Sequence, residues 1–135
     1  MALAITLPAL AGREKRISFD QLPESAKTFI LENFEQSAIT SVKIDQDNNH
    51  TEYKVNFNDG TKVEFTGGGQ WKEIENVSTP LPLTLMPEKI RQYLMTHHNG
   101  ANIRKIEKDG RGFEVKLTNG IELHFDMAYN FVEYD

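Results

Sequence analysis

The chain has 135 residues, with 15 Lys and Arg against 20 Asp and Glu, a net charge of −5, and no cysteine. This length is typical of one domain, and the lack of cysteine excludes disulfides, cysteine-ligated zinc, iron–sulfur clusters and a thiol nucleophile. The negative balance argues against a nucleic-acid binder, because neutralising phosphates needs a clustered basic face.

The chain begins with an apolar run, Ala2 to Ala11, of about the length of a signal-peptide hydrophobic region. Ala9 and Ala11 fit the small-x-small pattern of a cleavage site, and the run is too short to span a bilayer. No basic stretch precedes it, so an ordinary N-terminal segment remains the alternative. We expect a secretory remnant, a periplasmic or secreted location and no transmembrane segment. The basic residues that follow are expected to be solvated: Arg13, Lys15 and Arg16.

The rest of the chain contains an internal repeat. Leu22-Pro23-Glu24 recurs 64 residues later as Met86-Pro87-Glu88. The segment around Asp59-Gly60 recurs 60 residues later around Asn119-Gly120. The drop in offset predicts a loop that is longer in the first copy than in the second.

These offsets divide the chain into four parts. They are an N-terminal lead over residues 1–21, a first repeat over 22–75, a linker over 76–85 and a second repeat over 86–135. The longer loop is placed between Asp45 and Thr51, and its shortened counterpart lies around Asp109 to Arg111. Pro80 and Pro82 predict an extended linker without a helix. Because each repeat alone would be marginally stable, one domain with a shared core is expected over residues 22–135.

Each repeat is predicted to begin with a helix. Apolar residues recur at helical spacing on one face, and Pro23 and Pro87 suit the first helical turn. The residues that share this face are Ala26, Phe29, Ile30 and Phe34 in the first repeat, and Ile90, Tyr93, Leu94 and His98 in the second.

The segments after each helix alternate with period two, which predicts antiparallel strands with one buried face. Opposed residues must share a face, so each hairpin needs a loop of odd length, and a three-residue turn ending in a left-handed glycine provides it. In the first repeat this register places Lys54 opposite Glu64. In the second it places Lys116 opposite Glu122 and Glu114 opposite His124, so oppositely charged or polar groups face each other.

The duplicated unit resembles the PepSY-like, β-lactamase-inhibitor-like (BLIP-like) family of bacterial periplasmic proteins. The resemblance implies an α+β fold in which two tandem repeats of one helix plus antiparallel strands join into a single sheet with helices on one face. It also implies that inhibition of a hydrolase is one possible activity. The residues that carry it are Pro23, Glu24, Tyr53, Val55, Phe57, Asp59, Gly60, Glu64, Phe65, Trp71 and Glu73, with their second-copy counterparts.

No set of residues in the sequence assembles a catalytic or metal site. His97 and His98 are adjacent and point about 100° apart on a helix, so they cannot share a metal. His124 faces Glu114, and His50 is placed in the longer loop. We expect the carboxylate pairs Glu73 with Glu133 and Asp45 with Asp47 to be solvated, because catalytic carboxylates need burial or a close like charge.

Two further features have a structural and a functional interpretation. The segment from Asp45 to Asn49 is either a polar turn or a weak calcium loop, although it lacks the Gly and the bidentate Glu of an EF-hand. Trp71 and Phe131 share the strand parity of Glu73 and Glu133, which places them on the outer face as interface anchors. The alternative is that a bulge or strand twist tucks both rings over the sheet edge.

These observations predict a non-enzymatic exported binding module, without cofactor, that presents its sheet face and hairpin tips to a protein or peptide of the cell envelope. The alternative is a protein that binds a small ligand or calcium. The first repeat carries ten acidic residues against five lysines, so a basic partner would be drawn to it. The predicted partner-binding residues are Lys54, Asp59, Lys62, Glu64, Trp71 and Phe131.

Overall fold

The computed structural model describes residues 14–135. The apolar run Ala2 to Ala11 and Arg13 lie outside the described residues. The described chain forms two helices and nine strands, joined by short 3-10 turns at Phe19–Gln21, Gln36–Ala38 and Leu83–Leu85. The helices are α1 (Glu24–Asn33) and α2 (Glu88–His97), and the strands are β1 (Glu14–Arg16), β2 (Ile39–Asp47), β3 (His50–Phe57), β4 (Lys62–Thr66), β5 (Trp71–Glu75), β6 (Ile103–Asp109), β7 (Gly112–Leu117), β8 (Glu122–Phe125) and β9 (Phe131–Tyr134).

The nine strands form one antiparallel sheet in chain order, from β1 to β9. The predicted fold class, an α+β fold of two tandem repeats of one helix plus antiparallel strands in a single sheet, is confirmed. Neither helix within residues 14–135 has the length and apolarity needed to cross a membrane.

The described chain divides into two compact units, of which the first contains residues 14–58 and 63–71. In this unit α1 covers one face of the strands, with Ala26 and Ile30 fully buried. The ring of Phe29 lies 5.9 Å from that of Phe65 in an edge-on contact. Val55 and Val63 are fully buried as well, so the period-two alternation reports the buried face correctly.

The second unit contains residues 59–62 and 72–135. Its helix α2 packs on the strands in the same manner, with the ring of Tyr93 5.6 Å from that of Phe125. The cross-strand pairs Ile74 with Ile106, Ile106 with Val115, and Val115 with Leu123 form one continuous buried row. In each unit we call the face that contacts the helix the inner face and the opposite one the outer face.

The hairpin register predicted for the second repeat is confirmed. Lys116 pairs with Glu122 and Glu114 with His124 across β7 and β8. The turn ends on Gly120 at φ 91°, and Gly60 adopts φ 96° at the equivalent turn, a conformation that glycine adopts at little cost. The Lys54–Glu64 pairing in the first repeat stays a prediction.

The longer loop predicted between Asp45 and Thr51 is wrong. β2 and β3 continue through this segment to the pair Asp47–His50, which leaves a two-residue turn. The second repeat has the same turn after the pair Asp109–Gly112. The four extra residues therefore lengthen two strands by two residues each. Because side chains alternate with period two, two extra residue pairs keep every side chain on its own face.

Two segments are more ordered than the sequence predicts. Glu14–Arg16 was expected to be a solvated lead and instead forms β1, which pairs with β2. In the linker, Leu81 bridges to Ile103 and a 3-10 turn follows, although the proline-rich segment was expected to be extended throughout. Its first residue, Asn76, is only 2% exposed and hydrogen-bonds the residues around it.

Candidate functional site

On the outer face of the first unit, two lysines lie directly opposite each other and share one carboxylate. Lys43 on β2 pairs with Lys54 on β3, and the Glu14 carboxylate reaches both, at 3.5 Å and 3.1 Å. The Lys54 ammonium also lies 3.8 Å from Asp45. The hydrogen bond with Glu14 raises the pKa of Lys54, and the same bond lowers the pKa of Glu14. β1 thus supplies the counter-charge that two facing lysines need.

On the outer face of the second unit, like charges face each other across neighbouring strands. Glu73 pairs with Glu107 and Glu107 with Glu114, and the row continues through His124 to Glu133. We call these five residues the acidic row. Like charges that face each other directly destabilise a sheet. Exceptions of this kind to the rules of sheet stability concentrate at functional sites.

A second row alongside supplies part of the missing positive charge. Lys105 lies 3.5 Å from Glu73, and Lys116 lies 3.8 Å from Glu107 and 3.9 Å from Glu122. Coulombic attraction to Glu73 and neighbouring carboxylates outweighs burial, so the pKa of Lys105 is raised. The two lysines therefore act as bridges between carboxylates on adjacent strands.

Near β9 the carboxylates crowd together. Glu114, Glu122 and Asp135 each have a ligand atom within 4.8 Å of the others, and we call these three residues the carboxylate cluster. A hydrogen bond with Asp135, followed by burial and by the charges of Asp135 and Glu107, raises the pKa of Glu114 to about 7. Glu114 therefore holds a proton at pH values above the usual range of a carboxyl group, and its carboxyl group hydrogen-bonds Asp135.

Two open depressions lie beside this cluster. One, of about 170 Å³, is lined by residues that include Glu107, Arg111 and His124. The other, of about 250 Å³, is lined by Arg111, Glu114, His124, Glu133 and Asp135. With several carboxylate oxygens at their rims, these depressions suit a cationic side chain or a metal ion.

The family model described as "Putative beta-lactamase-inhibitor-like, PepSY-like" matches residues 9–56 and again residues 51–133. The chain belongs to this family. The double match of one family model agrees with a tandem repeat, whereas the predicted bounds of the two repeats stay a prediction. No curated protein matches the chain.

Three solved structures resemble this PepSY-like chain over nearly its whole length. A "putative calcium-regulated periplasmic protein" of Bacteroides thetaiotaomicron is 36% identical, with a TM-score of 0.85 over 93% of this chain and 98% of that one. A "putative periplasmic protein" of the DUF2874 family from Bacteroides vulgatus is 36% identical, with a TM-score of 0.80 over 90% and 96% of the two chains. Another from Bacteroides vulgatus is 31% identical, with a TM-score of 0.80 over 90% and 98%.

The predicted binding residues of the PepSY-like chain fall at different places. Lys54 lies on the outer face of the first unit, bridged to Glu14, and the side chain of Glu64 is half-buried. Asp59 lies in the turn before β4, where its carboxylate accepts a hydrogen bond from the Thr61 amide at 2.9 Å. Lys62 is the half-buried first residue of β4. Their role in binding stays a prediction.

The outer-face placement of Trp71 and Phe131 is wrong. The Trp71 ring stacks on Phe29 of α1, with centroids 6.0 Å apart. The Phe131 ring stacks on Tyr93 of α2, with centroids 4.7 Å apart. For Phe131 the inner-face position results from a register shift in β9. Phe131 pairs with Phe125 and Glu133 pairs with His124, so Val132 between them is skipped. The alternative of a bulge is thus confirmed for Phe131, whereas any part that either ring plays in binding stays a prediction.

The histidines do not come together. His97 stacks on Tyr93 at 4.1 Å, and the His98 ring hydrogen-bonds the Tyr134 hydroxyl at 3.0 Å. His50, expected in a loop, begins β3 and lies 2.9 Å from Glu52. The segment from Asp45 to Asn49 is regular hairpin and therefore does not wrap a cation as a calcium loop does.

Sequence reasoning missed the acidic row and the carboxylate cluster. The hairpin register correctly placed Glu114 beside His124. Glu107 enters through its pairings with Glu73 on β5 and with Glu114 on β7, and Asp135 enters through its backbone hydrogen bond with Glu122. The signal available was strand parity, because Glu73, Glu107 and Glu114 each lie next to a buried residue in their strands.

Proposed function

We propose that this chain is a non-enzymatic binding protein of the bacterial periplasm, which holds a protein or peptide against the outer face of its sheet. Membership of an inhibitor-like family supports a binding role. The three structural relatives, all named periplasmic proteins, support export.

The observation that carries the proposal is the acidic row. Glu73, Glu107 and Glu114 face one another on adjacent strands, so their repulsion weakens the folded state. A partner that places positive charge on this face relieves the repulsion, and the relief contributes to binding. The depressions beside the row are open rather than enclosed, which favours contact with a partner's surface over enclosure of a substrate.

The sites on the other outer-face strands complete the proposal. Lys54 and Glu64 are exposed enough to contact a partner from the first unit, and Asp59 and Lys62 lie at and after a hairpin tip. The name of the family points to one form of such binding, the inhibition of a hydrolase. Steady-state assays of β-lactamases with the purified chain test this form directly.

A pull-down from periplasmic extract tests the general proposal. The bait is the chain itself, compared with Glu73→Gln/Glu107→Gln, which removes two facing charges from the acidic row. The matched control is Glu32→Gln/Glu35→Gln, which removes the same charge from exposed positions at α1. We expect one partner to be recovered equally by the wild type and the control and several-fold less by the outer-face variant. Equal recovery by all three, or no partner at all, contradicts the proposal.

A divalent cation, calcium in particular, is the second candidate ligand. The carboxylate cluster favours it, because three carboxylates whose oxygens lie within 4.8 Å of one another can supply several of the oxygen ligands that calcium needs. The relative named calcium-regulated adds support. Calorimetry with calcium chloride should then show heat that Asp135→Asn abolishes; no heat at millimolar calcium rules this candidate out.

A further inference from the structure

The sheet ends at β9 within residues 14–135, so this strand has a neighbour only on its β8 side. An edge strand presents backbone groups that a further strand can pair with. The bulge at the start of β9, between the pairings of Phe131 and Glu133, disrupts the ladder there. Among the described residues, regular pairing on the free side therefore begins at Glu133.

The hydrogen-bond pattern identifies the groups that point outwards. The Asp135 amide donates to the Glu122 carbonyl at 3.0 Å, which makes these two residues a hydrogen-bonded pair. In an antiparallel ladder, hydrogen-bonded pairs alternate with pairs that are not hydrogen-bonded. The adjacent pair, Tyr134 with Leu123, is therefore not hydrogen-bonded. The N–H and C=O of Tyr134 therefore point away from β8, towards the free edge.

The side chains beside this edge alternate in chemistry. Glu133 and Asp135 project to the outer face, where Glu133 ends the acidic row and Asp135 joins the carboxylate cluster. Tyr134 projects to the inner face and is 53% exposed. Its ring borders a groove of about 490 Å³ that also includes Ile121 and His98.

We propose that β9 binds an extended peptide segment of another protein that carries the pattern basic–apolar–basic. Side chains on an added strand share a face with the residues opposite them. A residue opposite Tyr134 therefore lies against its exposed ring on the inner face, and its two neighbours meet Glu133 and Asp135 on the outer face. The added strand exchanges hydrogen bonds with the backbone of Tyr134.

Charge complementarity is the reason for a basic segment. Four carboxyl groups, those of the carboxylate cluster and of Glu133, lie beside two cations: Lys116 is 3.9 Å from Glu122, and Arg111 lines the same depression as Glu114, Glu133 and Asp135. The raised pKa of Glu114 is a further sign that negative charge here is incompletely balanced. A lysine or arginine from the partner binds two of these carboxylates and extends the acidic row with an opposite charge. This assignment rests on the proposed function and specifies the partner of the same outer face.

The test uses a fluorescently labelled peptide of alternating lysine and valine, titrated with the whole chain in the presence of EDTA. Two control peptides replace lysine by glutamate or valine by proline. The second keeps the charge but cannot pair as a strand, since proline lacks the amide donor. We expect the lysine–valine peptide to bind, the glutamate peptide not to bind, and the proline peptide to bind roughly tenfold more weakly.

Variants of the chain separate the backbone contribution from the charge contribution. Asp135→Asn should weaken binding of the lysine–valine peptide several-fold. Tyr134→Pro should weaken it more than Tyr134→Ala does, because only proline removes the outward amide, and proline is tolerated where the N–H faces solvent. Glu32→Gln on α1 is the control. Circular dichroism confirms that each variant is folded.

Equal affinity for the lysine–valine peptide and the proline peptide would show that charge attraction alone drives binding, and would overturn the proposal. Full affinity of Asp135→Asn and Tyr134→Pro for the lysine–valine peptide would overturn it as well. Sedimentation that shows a concentration-dependent dimer, lost in Tyr134→Pro, would assign the edge to a second copy of this chain instead. The general binding role fails separately, through the pull-down with Glu73→Gln/Glu107→Gln, whose charges lie outside the carboxylate cluster.

Discussion

Removing the side chain of Asn76 should destabilise the second unit substantially. The side chain is buried, and its amide nitrogen lies within hydrogen-bond distance of three acceptors, Asp59 O at 3.2 Å, Thr61 Oγ1 at 3.1 Å and Thr79 Oγ1 at 2.9 Å. Its carbonyl oxygen accepts from the backbone amides of Ser78 and Thr79 at 2.8 Å and 2.9 Å. Asn76 thereby joins the β3–β4 turn to the linker.

The magnitude follows from these bonds. An amide nitrogen has two hydrogens, so the side chain makes about four effective hydrogen bonds, each worth about 1 kcal/mol. Water can reach the exposed Ser78 amide in the variant, which reduces the loss. We expect Asn76→Ala to lower the free energy of unfolding by about 3 kcal/mol, equivalent to about 10 °C in Tm.

Urea unfolding followed by circular dichroism measures this loss. Asn48→Ala, at the exposed β2–β3 turn, is the matched control and should change stability by less than about 0.5 kcal/mol. Thr79→Val should cost about 1 kcal/mol in the wild type and much less when Asn76 is already alanine. A loss under about 1 kcal/mol for Asn76→Ala, or additive effects in the double variant, would refute the reasoning.

Three further predictions concern the sheet. Folding raises the pKa of Glu114 from its ordinary 4.5 to about 7, so between these pH values the folded chain retains a proton that the unfolded chain loses. The free energy of unfolding should therefore fall as the pH rises from about 4.5 to about 7. Glu114→Gln should remove that fall, and urea midpoints of variant and wild type that run parallel over this pH range would contradict the prediction. Phe131→Ala should cost about 2 kcal/mol because its half-buried ring loses stacking contacts, whereas Val132→Ala, 50% exposed, should cost little; thermal melts giving equal losses would count against the bulge. Gly112→Ala should cost at least about 2 kcal/mol, since a Cβ there would lie 2.0 Å from a backbone oxygen at φ 138°, while Gly110→Ala meets nothing within 4 Å and should melt like the wild type.

The sequence predicts the repeats, the helices and the β7–β8 register because these depend on local periods and on loop parity. Ile106, Val115 and Leu123 could be assigned to one face from alternation alone. The β2–β3 hairpin was harder, since Asp45 and Asp47 look like loop residues in composition. Their place in a strand depends on pairing with β3 and, for Asp45, on the neighbouring Lys54.

The features that the sequence does not reveal arise from contacts distant in the chain. β1 has only three residues, and Glu14 is held by two lysines on other strands. The bulge in β9 accompanies the packing of Phe131 on Tyr93, and the alternation of apolar and polar residues in β9 does not predict it. The acidic row requires the register between β5 and β6, which brings Glu73 beside Glu107 and is independent of any turn.

Photo-crosslinking in the periplasm tests the binding role of the outer face most directly. A photoreactive residue replaces Lys43 or Glu107 on the outer face or, as controls, exposed Leu31 of α1 or Met95 of α2. The account predicts that a partner is crosslinked from the outer-face positions and not from the helices. Crosslinking of the same partner from Leu31 or Met95, with none from Lys43 or Glu107, would contradict it.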